Sequence, residues 1–170
     1  EITQLTGHQD NVSSVSFSPD GRTLASGLVN RGYALALEIE LALDEFGGRQ
    51  TPKSEPWIDT VQLWDVESRS EIARFKEHTN DALSVVMRFS PDGRTLASGL
   101  GEVSGSSKIK LWDISACREI AQLTGHAEQV NAVSFSLDGR TLASGSDDKT
   151  VRLWDIPTRR EMARLTGHTS

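Results

Sequence analysis

FSPDGRTLASG occupies residues 17–27, recurs unchanged at residues 89–99, and appears a third time as FSLDGRTLASG at residues 135–145, where Leu137 replaces a proline. A phrase kept this closely inside one chain marks an internal repeat, the signature of an architecture built from supersecondary units that cannot bury their apolar faces alone. The repeat extends beyond the phrase. A histidine precedes each copy, at His8, His78 and His126, and Leu-Trp-Asp follows each, at residues 63–65, 111–113 and 153–155. Gly167 and His168 start the pattern once more.

Rigid and elastic stretches alternate within each unit. The step from Trp64 to His78, from Trp112 to His126 and from Trp154 to His168 is 14 residues every time. From histidine to tryptophan it is 56, 34 and 28 residues in units one, two and three. The histidine-to-glycine part of that interval, ending at Gly27, Gly99 or Gly145, is 19, 21 and 19 residues. Almost all the added length therefore follows that glycine. Insertions confined to one connection are expected of a repeated block with one variable loop.

Local pattern identifies the block as a β-meander. Asp20-Gly21, Asp92-Gly93 and Asp138-Gly139, between alternating apolar residues, predict hairpin turns. Val61 and Leu63, Ile109 and Leu111, and Val151 and Leu153 repeat at period two with the tryptophan on the opposite face, as in a strand. Glu-Ile-Ala-Arg-Phe at 71–75 and its counterparts at 119–123 and 161–165 predict an outer fourth strand. Each unit is thus expected to form four antiparallel strands, a to d, and neighbouring units must stack to bury both sheet faces.

The combination of Gly-His, Ser-Pro-Asp-Gly, Leu-Ala-Ser-Gly and Leu-Trp-Asp, matched in register by three units apart from Glu77 for the glycine in unit two and Leu137 for the proline in unit three, resembles the WD-repeat family of β-propellers. The resemblance implies an all-β fold, a partial propeller arc of three four-stranded blades, and a role as a protein-interaction platform. The blades are expected at residues 8–75, with an insertion at 28–57, and at 76–123 and 124–165; residues 1–7 read as the outer strand of a preceding blade and 166–170 as the start of a next unit. The resemblance also implies a hydrogen-bonded set within each blade. In unit three it is His126, Ser144, Asp148 and Trp154. Unit one keeps His8, Ser26 and Trp64, with Ile58 at the aspartate position, and unit two keeps His78, Ser98 and Trp112, with Ser106 there and Glu77 in place of the glycine before its histidine. Units one and two are expected to be the softer blades.

A Ser, a His and an Asp in one set also fit a hydrolytic triad. Against that, the set recurs from unit to unit and ends on an indole N–H that can only donate, which favours a part used in construction. All four histidines fall in this one slot, leaving none for a metal site or a free general base, and a single cysteine, Cys117, cannot build a zinc site. The glycine- and serine-containing stretch at 99–108 lacks the spacing and the following helix of a phosphate loop. No catalytic residue, metal or cofactor is expected.

Strands in a meander put the d–a and b–c loops on one rim. That rim carries the added length and is the candidate binding face. In the insertion, Leu35, Leu37, Ile39, Leu41 and Leu43 alternate as in a strand, whereas the Ala/Leu/Glu composition of residues 33–46 and a Gly47-Gly48 stop favour a helix. These five residues with Phe46 and Trp57 are the candidate partner-binding surface, set among acidic side chains.

The chain has 24 acidic against 18 basic side chains, a net charge of −6, and no basic cluster, so nucleic acid is an unexpected partner. No apolar run reaches the length of a membrane span, and a soluble, cytoplasmic protein is expected. Expected partners are other proteins and further blades, from a longer parent chain or from self-association. Pairing two copies into a six-bladed ring would bring residues 1–5 and 161–165 to the same outer position, which favours a longer parent. The alternative function is a sensory or targeting segment of a larger signalling protein whose catalysis lies on another domain.

Overall fold

The computed structural model describes residues 4–5, 8, 11–29, 58–77, 82–102 and 107–167. They form twelve strands: β1 (Asn11–Phe17), β2 (Thr23–Val29), β3 (Ile58–Asp65), β4 (Glu71–Glu77), β5 (Ala82–Phe89), β6 (Thr95–Glu102), β7 (Lys108–Asp113), β8 (Arg118–Thr124), β9 (Val130–Phe135), β10 (Thr141–Ser146), β11 (Thr150–Asp155) and β12 (Arg160–Thr166). Consecutive strands pair antiparallel in three separate sheets of four, β1 to β4, β5 to β8 and β9 to β12. The described residues contain no helix. The partial propeller of three blades is therefore the fold of the chain, and its sheets do not close into a ring.

β2 runs through Leu28 and Val29, both buried, so the segment between strands b and c of blade one is residues 30–57, not 28–57. The added strand length, with a bulge opposite it at Val12/Ser14, absorbs part of what sequence spacing assigned to a loop. The helix-or-strand question for the insertion, and Leu35, Leu37, Ile39, Leu41, Leu43, Phe46 and Trp57 with it, lie outside the described residues.

The hairpins differ from the two-residue type that Asp-Gly suggests. Ser18 N donates to Thr23 O at 2.8 Å and Gly21 N to Ser18 O at 2.9 Å, which makes a four-residue connection with Gly21 at φ 70°. A side chain at that φ would be strained, hence the glycine. Ser18 Oγ donates to Asp20 Oδ1 at 2.6 Å and accepts from Thr23 N at 2.9 Å, while Arg22 N donates to Asp20 Oδ1 at 3.0 Å. Ser90 with Asp92, and Ser136 with Asp138, repeat this clamp. Strands c and d share a repeated bulge too, between Leu63/Trp64, Leu111/Trp112 and Leu153/Trp154.

The core lies between blades. Ala25, Val29, Val61, Leu63 and Phe75 of blade one pack on Val85, Met87, Phe89, Leu96, Leu100 and Trp112 of blade two, with Phe75 stacked on Trp112 at 4.6 Å between centroids. Ala97, Ile109, Leu111 and Leu123 of blade two meet Val130, Val133, Leu142 and Trp154 of blade three in the same way. Each fully buried aliphatic side chain contributes about 1.5–3 kcal/mol relative to exposure, so these two seams carry the fold. They close tightly because strand b bears a glycine at the contact. A Cβ on Gly27 would lie 2.9 Å from Val85 Cγ1, and one on Gly99 would lie 2.7 Å from Val130 Cγ1.

Arg69, Cys117 and Arg159 hold one position in the c–d turns, with φ of 60°, 47° and 61°. A left-handed backbone at a residue with a Cβ costs about 1–2 kcal/mol, part of which glycine would recover. Gly99→Ala is therefore expected to lower the unfolding free energy by about 1–3 kcal/mol by overpacking the seam, and Cys117→Gly to raise it by up to about 1 kcal/mol. Urea melts of the two variants check both signs.

Candidate functional site

Unit three assembles the most complete polar chain. His126 lies just ahead of β9, Ser144 on β10, Asp148 in the turn before β11 and Trp154 on β11. Because β10 and β11 are paired with Leu142 opposite Trp154, Ser144 and Trp154 share a sheet face, and the indole reaches back to the serine. Trp154 Nε1 donates to Ser144 Oγ at 2.8 Å, Ser144 Oγ lies 2.7 Å from His126 Nε2, and His126 Nδ1 lies 2.8 Å from Asp148 Oδ2. A carboxylate only accepts, so Nδ1 carries a proton, and the serine hydroxyl can donate to Nε2 while accepting from the indole. The proton order is that of a Ser-His-Asp triad. Access is not: Ser144 is 1% and His126 4% exposed, and the hydroxyl oxygen is already engaged by the indole.

Asp148 is held from several directions. Thr150 Oγ1 donates to its Oδ1 at 2.6 Å, Thr150 N to the same oxygen at 3.0 Å, and Ala127 N to Oδ2 at 3.1 Å. Burial alone would raise its pKa, but the bonds from Thr150, His126 and Ala127 together outweigh it and hold the carboxyl far below the ordinary carboxylate range. Thr150 and the backbone of Ala127 were not part of the set read from sequence. The threonine two residues beyond the aspartate is a recognisable Asx-turn signal.

Among the described residues, the other blades show part of this chain. In blade one Trp64 Nε1 donates to Ser26 Oγ at 2.9 Å and His8 Nε2 lies 3.1 Å from the same oxygen, with the His8 and Trp64 rings 4.9 Å apart. In blade two Trp112 Nε1 donates to Ser98 Oγ at 2.8 Å, while His78 and Ser106 lie outside the described residues.

A second polar position on the same face separates the blades. Arg152 Nη1 pairs with Glu161, and Lys110 Nζ sits 3.3 Å from Glu119 Oε2 and 5.6 Å from the Trp112 ring centroid. Blade one places Gln62 there, fully buried, with neither amide atom hydrogen-bonded. Such an orphan costs about 1–3 kcal/mol. Cys117 is exposed in its c–d turn, its Sγ 3.3 Å from Ile114 O. Among the described residues no group of three His, Cys, Asp or Glu is placed to hold a metal ion, and no helix is long and apolar enough to cross a membrane.

Three four-stranded blades, in each of which a strand-b serine accepts the indole N–H of a strand-c tryptophan, define a partial β-propeller of the Trp-Asp type. The family model for the WD domain, G-beta repeat, matches residues 1–31, 69–113 and 117–155, and the chain belongs to that family. Pre-mRNA-processing factor 19 homolog 2 of Arabidopsis thaliana is 26% identical over 164 residues, matching 86% of this chain and 30% of its own length. The guanine nucleotide-binding protein subunit beta of Oryza sativa subsp. japonica is 31% identical over 152 residues, 86% of this chain and 32% of its own. The solved structure of U3-55K superposes with a TM-score of 0.71 at 23% identity, over 98% of this chain and 42% of that one. The chain thus spans under a third of the length of these curated relatives. Proteins of this family generally act as protein-interaction scaffolds.

His126→Ala is expected to lower stability by about 1–3 kcal/mol, since Ser144 and Asp148 both lose a buried partner, and His8→Ala by less, since among the described residues its ring bonds Ser26, at the longer distance. Denaturant melts rank the two. Asp148 has a folded pKa below its unfolded value, so its contribution is complete above about pH 4 and is lost as pH falls further. The stability gap between the natural chain and Asp148→Asn should accordingly be wide at pH 7 and narrower at pH 3, measured by urea melts at both.

Proposed function

We propose that this chain is a non-catalytic, cytoplasmic protein-interaction scaffold that binds partners through the loops of one rim. The observation that carries this reading is the burial of Ser144 beneath the Trp154 indole. With its oxygen engaged and no surface open to a substrate, the His-Ser-Asp chain holds a blade together and does not present a nucleophile. Variation instead lies in the b–c connections, which span residues 30–57 in blade one and 147–149 in blade three. In blade three that connection and the d–a loop are tied at one rim, where Asp147 N donates to Gln129 O and Asn131 Nδ2 to Asp147 Oδ1. A rim of variable loops on a repeated scaffold is where binding specificity can change without disturbing the core.

The residues proposed to meet the partner are Leu35, Leu37, Ile39, Leu41, Leu43, Phe46 and Trp57, apolar anchors among Glu38, Glu40, Asp44, Glu45 and Glu55. That mixture, with a net charge of −6, fits a protein with a basic surround better than nucleic acid. The second reading, a sensory or targeting segment of a larger signalling protein with catalysis on another domain, draws support from the share of 30% and 32% of the relatives' length that the chain spans. The domain content of the complete reading frame separates it from the first.

Replacing residues 30–57 with a three-residue turn like that of blade three is expected to leave the melting curve of the blades intact and to abolish capture of the rim-bound protein from the source cell. Capture at undiminished yield would move the binding surface to the blades, and unfolding of the shortened chain would show the segment to be core.

A further inference from the structure

Asp-Gly is the dipeptide in which an aspartyl side chain most readily reacts with its own backbone. The nitrogen of the next residue attacks the side-chain carbonyl carbon, one carboxyl oxygen leaves as water with the amide hydrogen and a second proton, and a five-membered succinimide closes. Water then opens that ring at either carbonyl, returning aspartate or giving isoaspartate, whose side-chain methylene has become part of the main chain. Glycine favours the attack because no side chain screens its nitrogen. The sequence holds three such pairs, Asp20-Gly21, Asp92-Gly93 and Asp138-Gly139, and no Asn-Gly. All three aspartates are exposed, in the turns that join strands a and b.

Each turn ties down both reacting groups. Gly21 N, Gly93 N and Gly139 N donate at 2.9 Å to the carbonyl oxygens of Ser18, Ser90 and Ser136. With that bond and no positive φ at the aspartate, the turn is of type I, whose third residue keeps ψ at about 0°. The glycine nitrogen then points away from the aspartate side chain, and the ring can close only if the turn opens. The carboxylate is held as well: Ser18, Ser90 and Ser136 Oγ donate to its Oδ1 at 2.6, 2.5 and 2.6 Å, and the backbone N of Arg22, Arg94 and Arg140 donates to the same oxygen at 3.0 Å. Each serine oxygen is fixed in turn by accepting from Thr23, Thr95 or Thr141 N at 2.9 Å. The serine hydroxyl first, and then the arginine amide, keep these carboxyls below the ordinary carboxylate range, and an ionised carboxylate is the poorer electrophile.

We propose that Asp20, Asp92 and Asp138 are isoaspartate-forming sites kept silent by the serine at the head of each turn. That serine meets both requirements at once, since its carbonyl holds the glycine nitrogen and its hydroxyl holds the carboxylate. Loss of the hydroxyl frees the acid and removes the brace on the turn, leaving the reactive pair exposed to water. Isoaspartate would lengthen the main chain by one carbon between strands a and b. The pairs nearest the turn, Phe17 with Leu24, Phe89 with Leu96 and Phe135 with Leu142, would then lose their register. Phe89, Leu96 and Leu142 belong to the seams between blades, so damage in a solvent-facing turn would reach the core.

The test is to incubate the full chain for several weeks at neutral pH, label isoaspartyl carboxyls with an isoaspartyl methyltransferase, and map the label by peptide, which reads each position separately. In the natural chain all three positions are expected to react far more slowly than in the same chain held in urea. Ser136→Ala should raise the rate at Asp138 by about ten- to a hundredfold, the weight of one hydrogen bond to a charged acceptor, and leave Asp20 and Asp92 unchanged. Ser90→Ala should do the same at Asp92 alone, so the result does not rest on one turn. His126→Ala, which loosens blade three without touching the turn, should leave Asp138 slow. Isoaspartate in the natural chain at the rate seen in urea, serine variants no faster than the natural chain, a rise at all three positions together, or an equal rise at Asp138 in His126→Ala overturns the proposal.

Discussion

Everything in this arc depends on how closely one sheet can approach the next, and that distance is set by the glycine that ends each Leu-Ala-Ser-Gly. Gly27 and Gly99 let valine side chains of the following blade reach the backbone of strand b. With a methyl group there, strand a of the next blade would be pushed away, and every residue of the seam would move with it. Protein cores are packed too densely to absorb such a shift without loss. The aliphatic residues of strands b and c supply the energy of stacking, and the glycine sets the spacing at which they can supply it.

The polar sets work at right angles to this. Each serine on strand b, at Ser26, Ser98 and Ser144, accepts an indole N–H from strand c, so the tryptophan is held flat within its own sheet before the neighbouring blade covers it. Burying an indole is favourable only when its N–H finds an acceptor. A hydroxyl suits the place because it can accept from the indole and still donate to a histidine ring, which explains why one residue type stands in all three positions. Blade three goes furthest, adding a carboxylate held by a threonine and a backbone amide. Blade one instead leaves the Gln62 amide buried without a partner, a local cost that the packing on Phe75 and Leu63 must outweigh.

Much of this was legible in the sequence because the interactions are local or repeated. The meander followed from alternation at residues such as Val61 and Leu63, and constant spacing singled out the histidines, serines and tryptophans. What escaped was of two kinds. Ser18, Ser90 and Ser136 were not singled out, since the Asp-Gly that follows predicts a turn whichever side-chain bonds brace it. Gly27 and Gly99 read as the end of a phrase, since their neighbours come from another unit, and no pattern within one strand reports what faces it across a seam. The end of β2 was misplaced for a related reason: Leu28 and Val29 depart from the repeat in unit three, where the strand stops at Ser146, yet burial carries the strand onward.

The unequal b–c connections bear on the order in which the blades form. Strands β10 and β11 are joined through residues 147–149, whereas β2 and β3 are separated by residues 30–57. Chain-closure entropy grows with the logarithm of the number of residues enclosed, so bringing β3 to β2 costs about 2 kcal/mol more than bringing β11 to β10. That difference is met before any seam contact returns it. A refolding chain should thus complete its C-terminal sheet first and use the exposed face of that sheet as the template on which the middle blade, and then the first, is laid down. The repeat looks uniform when read along the chain, but the single long connection gives its assembly a direction in time.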